Sequence, residues 1–162
     1  MLAPPESGPS PVLVGWKEYL DLPELGVRRL KAKLDTGART SALHVDAMEV
    51  SAELPDGSAT VTFSAALDRR RPERRIEAQA RMLRRIRVID SGGHPEIRPL
   101  ISTELVLGPV RKRILLTLTD RSGMLFHMIL GRKALEGDFV VDPARMFLLR
   151  AWHRRRRSGE GA

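Results

Sequence analysis

Leu30-Lys31-Ala32-Lys33-Leu34-Asp35-Thr36-Gly37-Ala38 is the stretch on which the fold turns. Leu30, Ala32 and Leu34 alternate with Lys31 and Lys33, the period-two pattern of a half-buried strand, and the strand then runs into Asp-Thr-Gly, residues that favour a tight loop. Outward from it the same pattern recurs. Met48, Val50, Ala52 and Leu54 lead into Pro55-Asp56-Gly57, and Val61 and Phe63 follow, which predicts a hairpin. Ile76, Ala78, Ala80 and Met82, continued by Ile86 and Val88, reach Ser91-Gly92-Gly93 before the apolar stretch 100–107, which predicts a second, longer hairpin. Stretches 114–119 and 124–130 flank Asp120-Arg121-Ser122-Gly123 and read as a third. A short helix is expected over 132–135, with strands at 139–141 and 146–149. Many short strands divided by Gly, Pro and Asp turns make an all-β barrel or sandwich the expected class. The expected division is a disordered tail over 1–11, one domain over 12–150 and a basic tail over 151–162 whose last eight or so residues are disordered.

A chain of 162 residues suits one domain with a real core. It has no cysteine, which excludes disulfides and thiolate metal sites. The Pro/Ser/Gly-rich start lacks the basic and apolar regions of a secretory leader, and no apolar run approaches the length of a membrane span. The expectation is a soluble, cytoplasmic protein with no membrane partner. The net charge of +8 owes four positive charges to the run at 154–157, and nine arginines between 69 and 87 face only Glu73 and Glu77. Such clusters can hold phosphate backbones. The aromatic residues that stack on bases are sparse, with only Phe63 and Phe126 between Tyr19 and Phe139. A solvated charged face or an acidic-partner surface is therefore favoured over nucleic-acid binding.

The Asp35 loop suggests a specific chemistry. Two carboxylates close enough to share a proton can activate water, one ionised and one protonated. The chain has one such loop, so a second copy would have to supply the other carboxylate. Thr36 is small enough to bury and its hydroxyl could lock the loop, Gly37 permits a close approach, and Ala38 keeps the packing tight. A β-turn carrying a surface aspartate is the competing reading. The segment Met128-Ile129-Leu130-Gly131-Arg132 lies 96 residues after Asp35, counted to Gly131, as an apolar strand opening a short helix.

The order of strand, Asp-Thr-Gly-Ala, hairpins, Ile-Leu-Gly-Arg, short helix and last strand resembles the retroviral-type aspartic proteases. That resemblance implies a retropepsin-like closed barrel with one short helix after Gly131. It also implies Asp35 as catalytic residue, supported by Thr36, Gly37, Ala38, Gly131 and Arg132, in a homodimer acting on a peptide substrate. Further segments are Gly15-Trp16, Leu22-Pro23-Glu24-Leu25-Gly26, Lys33 through Asp35-Thr36-Gly37-Ala38-Arg39-Thr40-Ser41-Ala42-Leu43-His44, Ser91-Gly92-Gly93-His94 with Glu96 and Arg98, and Leu116-Thr117-Leu118-Thr119-Asp120-Arg121. Together they are similar to a bacterial family labelled ATP-dependent zinc proteases, whose domain is classed as a retropepsin-like aspartic endopeptidase. Some members are encoded beside, or fused to, ATP-grasp ligases that add amino acids to carboxylates, which implies a ligase partner. The implied function is hydrolysis of peptide or peptide-like amide bonds by water on an Asp35 dyad. The alternative is a non-catalytic peptide-binding accessory module of an ATP-grasp amino-acid ligase system.

The zinc and ATP of that label find no support in the residues. There is no His-Glu-x-x-His pattern, and His44, His94, His127 and His153 stand far apart; a fold-assembled metal site would have to draw on His44, Asp46 and His94. Gly131-Arg132-Lys133 lacks the upstream glycine and downstream hydroxyl of a phosphate-binding loop. No metal or nucleotide cofactor is expected. Where retroviral enzymes carry an acid after the loop, this chain has Arg39-Thr40-Ser41, so Arg132 needs another partner from Asp46, Asp120 or Asp142. Arg39 beside Asp35 would favour its ionised form or bind a substrate carboxylate, unless it points to solvent. Ser91, Gly92 and Gly93 are the expected substrate-covering flap, with the Asp56-Gly57 hairpin as rival. Arg85, Arg87, Glu96 and Arg98 are expected to pair across the second hairpin rather than line the groove.

Overall fold

The computed structural model describes residues 9–90 and 92–159. Strand β3 (Val27–Asp35) turns Leu30, Ala32 and Leu34 inward, as its alternation requires, and buries Val27 as well, on the other side of the irregular Arg28-Arg29 pair. It lies between β2 (Lys17–Leu22), antiparallel, and β10 (Met128–Gly131), parallel. From β10 the ladder passes to β4 (Ser41–His44), β9 (Val110–Thr119) and β8 (Pro95–Leu107), and β8 returns to β2 through Asp21 and Val106. That return closes a six-stranded barrel. Closure removes the free edges that an open sheet would expose. Leu20, Leu30, Leu43, Ile101, Leu105, Leu116, Leu118 and Met128 fill it and are essentially inaccessible.

Beyond the barrel wall, β8 continues into an arm of β7 (Arg71–Ile89), β6 (Ala59–Asp68) and β5 (Ala47–Val50). β1 (Val12–Gly15) pairs in parallel with β11 (Phe139–Asp142), after the single-turn helix α1 (Arg132–Leu135). The hairpin expected around Asp56-Gly57 forms between β5 and β6, and the longer one between β7 and β8.

The third expected hairpin does not exist. β9 and β10 do not pair; β4 lies between them, parallel to β9 and antiparallel to β10. All four residues of β4 are buried, so its backbone groups must be satisfied on both edges, and the two neighbouring strands do this. Nor is 146–149 a strand. Phe147 takes φ +55° and stacks on Tyr19 at 5.0 Å. The N–H groups of Leu148 and Leu149 donate to the carboxylate of Glu18 at 2.9 and 3.2 Å, and Gly15 N–H donates to the same carboxylate at 2.7 Å. Glu18 is 1% exposed. A buried carboxylate holding these three donors replaces the strand partner that 146–149 lacks.

Residues 155–159 also differ from the expected disorder of the last eight or so, while 160–162 lie outside the described residues. Arg150–Gly159 form helix α2, with Ser158 Oγ donating back to Arg154 O at 3.1 Å and the Arg156 guanidinium over the Trp152 ring at 5.5 Å. Arginine is a good helix former, and these contacts at helical spacing join successive turns. The part of the expected N-terminal tail at 1–8 lies outside the described residues. Among the described residues no helix is long and apolar enough to cross a membrane.

Replacing Glu18 by Ala strips these donors of their acceptor inside the barrel wall. The expected loss is about 3 kcal/mol, read as a lower denaturation midpoint in guanidinium with an unchanged slope.

Candidate functional site

Asp35 ends β3 in register with Gly131 of β10. Its Oδ1 accepts the Gly37 N–H at 3.0 Å, and its backbone carbonyl accepts the Ala38 N–H at 3.2 Å, so the loop folds tightly around the carboxylate. A Cβ on residue 37 would lie 3.2 Å from that Oδ1, so glycine here serves the approach of the carboxylate. The Asp35 side chain is 27% exposed, and Lys33 Nζ lies 3.6 Å from Oδ2. The cation against Asp35 is thus Lys33; Arg39 is exposed and makes no ion pair among the described residues. Thr36 is exposed rather than buried, and its hydroxyl has no hydrogen-bond partner among the described residues.

Gly131 seals the back of the loop. A Cβ there would stand 2.7 Å from Thr40 C and 3.0 Å from Ala38 O, against backbone that cannot yield. Arg132 N–H donates to Ala38 O at 2.6 Å and Lys133 N–H to Arg39 O at 3.1 Å, while Gly131 N–H donates to Ser41 Oγ at 3.0 Å. Arg132 therefore supports the loop through its main chain. Its guanidinium is exposed and pairs with none of Asp46, Asp120 and Asp142, which instead engage His44, Ser122 N–H and Arg145.

In front of the loop lies a groove of about 920 Å³. Val88, Ile89 and Asp90 of the β7 end and Glu96 and Arg98 of β8 form one wall, so the hairpin carrying Gly92 and Gly93 borders the groove and the one at Asp56-Gly57 does not. At its tip Gly93 adopts φ +81°, and Asp90 Oδ1 accepts N–H groups from Gly92 and His94. Ser91 lies outside the described residues.

The charges in the groove are interlocked. Arg98 does not pair across the hairpin; its Nη2 donates to Glu96 Oε2 on the same strand at 2.9 Å, and Thr119 Oγ1 donates to Oε1. Its Nε is buried without a partner among the described residues. Arg85 pairs outside the groove, with Glu53 at 2.8 Å. Burial would raise the Glu96 carboxyl, but Thr119 and Arg98 hold it below the usual carboxylate range. Opposite, Arg121 is pushed below the usual guanidinium value by burial and by Arg98, against the pull of Asp35 and Glu96. Arg121 is held by its Nε–H to Phe126 O at 3.2 Å and by its N–H to His44 Nδ1 at 2.9 Å.

His44 explains how Arg121 is placed. Nδ1 accepts from Arg121 N–H, so the proton sits on Nε2, which donates to Asp46 Oδ1 at 2.6 Å. Asp46 also receives Arg75 Nη1 at 2.9 Å and Ala66 N–H at 2.7 Å. His94 is far along the chain at the hairpin tip with Asp90, and no three His, Asp or Glu side chains converge as metal ligands among the described residues. His44 and Asp46 thus tie β4 to the arm and to the groove loop. Sequence reasoning did not single out Lys33 or Arg121 as site residues. Lys33 stands two residues before Asp35 and so shares its side of the strand, a usable signal, whereas Arg121 reaches the groove only through the loop that replaced the third hairpin.

Residues 13–151 match the family model described as "RimB-like: Retropepsin-like aspartic endopeptidase RimB". Curated relatives include proteins named probable alpha-L-glutamate ligase. That of Desulfotalea psychrophila is 35% identical over 135 residues, covering 82% of this chain and 28% of that protein. That of Shewanella pealeana is 31% identical over 137 residues, covering 85% of this chain and 30% of that protein. The chain thus spans less than a third of the curated relatives it matches. A crystal structure of a Legionella pneumophila protein of unknown function shares the fold, with a TM-score of 0.70 at 24% identity over 87% of this chain and all of that one.

Two outcomes test this geometry. Gly131→Ala should lower stability by about 2 kcal/mol or more in chemical denaturation, because the obstructing atoms are main chain. For Asp46, burial raises the carboxyl but bonds from His44, Ala66 and Arg75 outweigh it, leaving it below its ordinary value. Its contribution is therefore complete above the ordinary carboxylate value of about 4 and is lost as pH falls through the lower folded value. The stability gap between wild type and Asp46→Asn should be constant from neutral pH to about pH 5 and close below about pH 4.

Proposed function

The chain belongs to the RimB-like family of retropepsin-like aspartic endopeptidases, and we propose that it hydrolyses peptide or peptide-like amide bonds with water activated between the Asp35 carboxylates of two copies. The observation that carries this reading is Asp35 held by the Gly37 N–H at the mouth of an open groove, with Gly131 packed behind it. One such carboxylate per chain needs a twin, and the half-buried Asp35 beside the exposed Thr36 leaves the loop accessible to a second copy. In the dyad the ionised carboxylate takes a proton from water as its oxygen attacks the carbonyl carbon. The protonated partner hydrogen-bonds the carbonyl oxygen, and a proton passes to the departing amide nitrogen as the C–N bond breaks.

Lys33, Arg39, Arg98 and Arg121 line the same groove with Asp35, Asp90, Glu96 and Asp120, and Asp35 and Glu96 engage Lys33 and Arg98. Arg39, exposed and without an ion pair among the described residues, is placed to take a substrate carboxylate. Together with relatives named for an α-L-glutamate ligase, this placement supports an acidic, glutamate-containing peptide as substrate. A second reading is favoured by one observation: those relatives carry this segment as 28–30% of their length. In that reading the groove holds an acidic peptide for a ligase without cutting it.

Sedimentation should show a dimer in the micromolar range, and mass spectrometry should detect cleavage of glutamate-rich peptides. Asp35→Asn should reduce that cleavage by about a thousandfold or more while the dimer persists, and a chelator should leave it unchanged. A protein that stays monomeric would overturn the dyad. Equal inertness of wild type and Asp35→Asn, with equal peptide binding, would establish the accessory role instead.

A further inference from the structure

At the opposite end of β3 from Asp35, about 20 Å away by strand rise, a second cavity of about 420 Å³ opens between the barrel and α2. Arg28 and Arg29 of β3 meet Arg150, Arg154, Arg156 and Arg157 of α2 around it, and Asp21 is the one carboxylate that lines it among the described residues. Asp21 is already engaged, its Oδ1 accepting the Arg29 N–H at 2.7 Å. That bond helps hold Arg29 at φ +52°, a conformation that non-glycine residues adopt at a cost. Its guanidinium lies 5.0 Å above the Tyr19 ring, and that of Arg150 lies 4.6 Å above Phe147, so aromatic faces orient both.

Five of these cations are not consumed by acids among the described residues. Arg75, Arg98, Arg111, Arg113 and Arg145 each have a carboxylate within 3 Å, whereas Arg28, Arg29, Arg150, Arg154 and Arg157 make no ion pair among the described residues. Gathering like charges around a concavity costs folding free energy that an anion would recover. Arg74 extends the basic wall, its Nη2 donating to Arg28 O at 3.1 Å.

We propose that this cavity is a phosphoryl-anion site, separate from the Asp35 groove, that takes the phosphates of an RNA backbone or of a free polyphosphate. Guanidinium forks match the oxygens of phosphate, and several forks in so small a volume suit closely spaced anionic centres. An extended acidic peptide fits less well, because it spreads its carboxylates along the strand and to alternate sides. Tyr19 is covered by Phe147 and Arg29, and Trp152 carries Arg156, so recognition runs through phosphate rather than stacked bases. The basic run at the end of the sequence becomes a site because α2 folds it against Arg28 and Arg29.

The test titrates the full chain with a labelled single-stranded RNA of about 20 nucleotides, with inorganic tripolyphosphate, and with an oligoglutamate of matched charge, at about 50 and 200 mM salt. Phosphate ligands should bind at least about tenfold more tightly than oligoglutamate and weaken steeply with salt. The double variant Arg28→Glu/Arg154→Glu should lose about thirtyfold or more, Arg28→Lys/Arg154→Lys less, with thermal melts confirming that both fold. RNA binding above that of tripolyphosphate assigns the site to a nucleic acid, and the reverse to a free polyphosphate; either supports the proposal. Asp35→Asn should bind as wild type does, which separates this result from the fate of the peptidase reading. No phosphate binding at 50 mM salt, equal binding of oligoglutamate, or full affinity in the double Glu variant would overturn it.

Discussion

The close approach of Gly131 to the main chain of Ala38 and Thr40 is the contact on which the remaining architecture depends. Two distant segments meet there with no side chain between them, and their peptide groups bond directly: Arg132 N–H to Ala38 O, Lys133 N–H to Arg39 O. Because β10 is thereby fixed beside β3, β4 finds its edge on β10 and β9 its edge on β4. The ladder can then reach β8 and return to β2. The same contact fixes where Asp35 leaves its strand. Barrel closure and placement of the carboxylate are therefore consequences of one packing event, and a change that loosens one loosens the other.

Around the groove, polarity is organised by chains of hydrogen bonds rather than by isolated pairs. Arg75 and the Ala66 N–H orient Asp46, Asp46 selects the His44 tautomer, and His44 receives the Arg121 N–H. Arg121 in turn faces Asp35 and Glu96. A strand of the outer arm is thus connected to the groove through the side chains of Arg75, Asp46 and His44 and the Arg121 N–H, each bonded to the next. Such chains gain strength inside a low-dielectric wall, and they fix geometry more firmly than any single member would.

The readable parts of the sequence were those governed by neighbours along the chain. Leu30 to Leu34 alternate and make a strand; Asp56-Gly57 and Gly92-Gly93 turn hairpins; Gly131-Arg132 opens a single helical turn. The error at 114–130 arose because a turn signal at Asp120 to Gly123 specifies a reversal but not the partner strand. That partner was decided by β4, whose buried backbone needed two edges. Phe147 and Leu149 look like strand residues because they are apolar, yet their donors are taken by Glu18, which precedes them by about 130 positions. Thr36 was expected inside, but the tight loop turns it outward. Arg121 gave no local sign of belonging to the groove, since a loop residue reveals its neighbours only after the barrel has closed.

Glu18 also bears on how this unit sits within longer polypeptides. Its carboxylate joins Gly15 to Leu148 and Leu149, and β1 runs beside β11, so the polypeptide enters and leaves the barrel at one place. A body whose two ends emerge together can be appended to another protein, or carried within one, without pulling its strands apart. The clamp thus makes the barrel portable, in keeping with its occurrence as one segment of relatives more than three times its length.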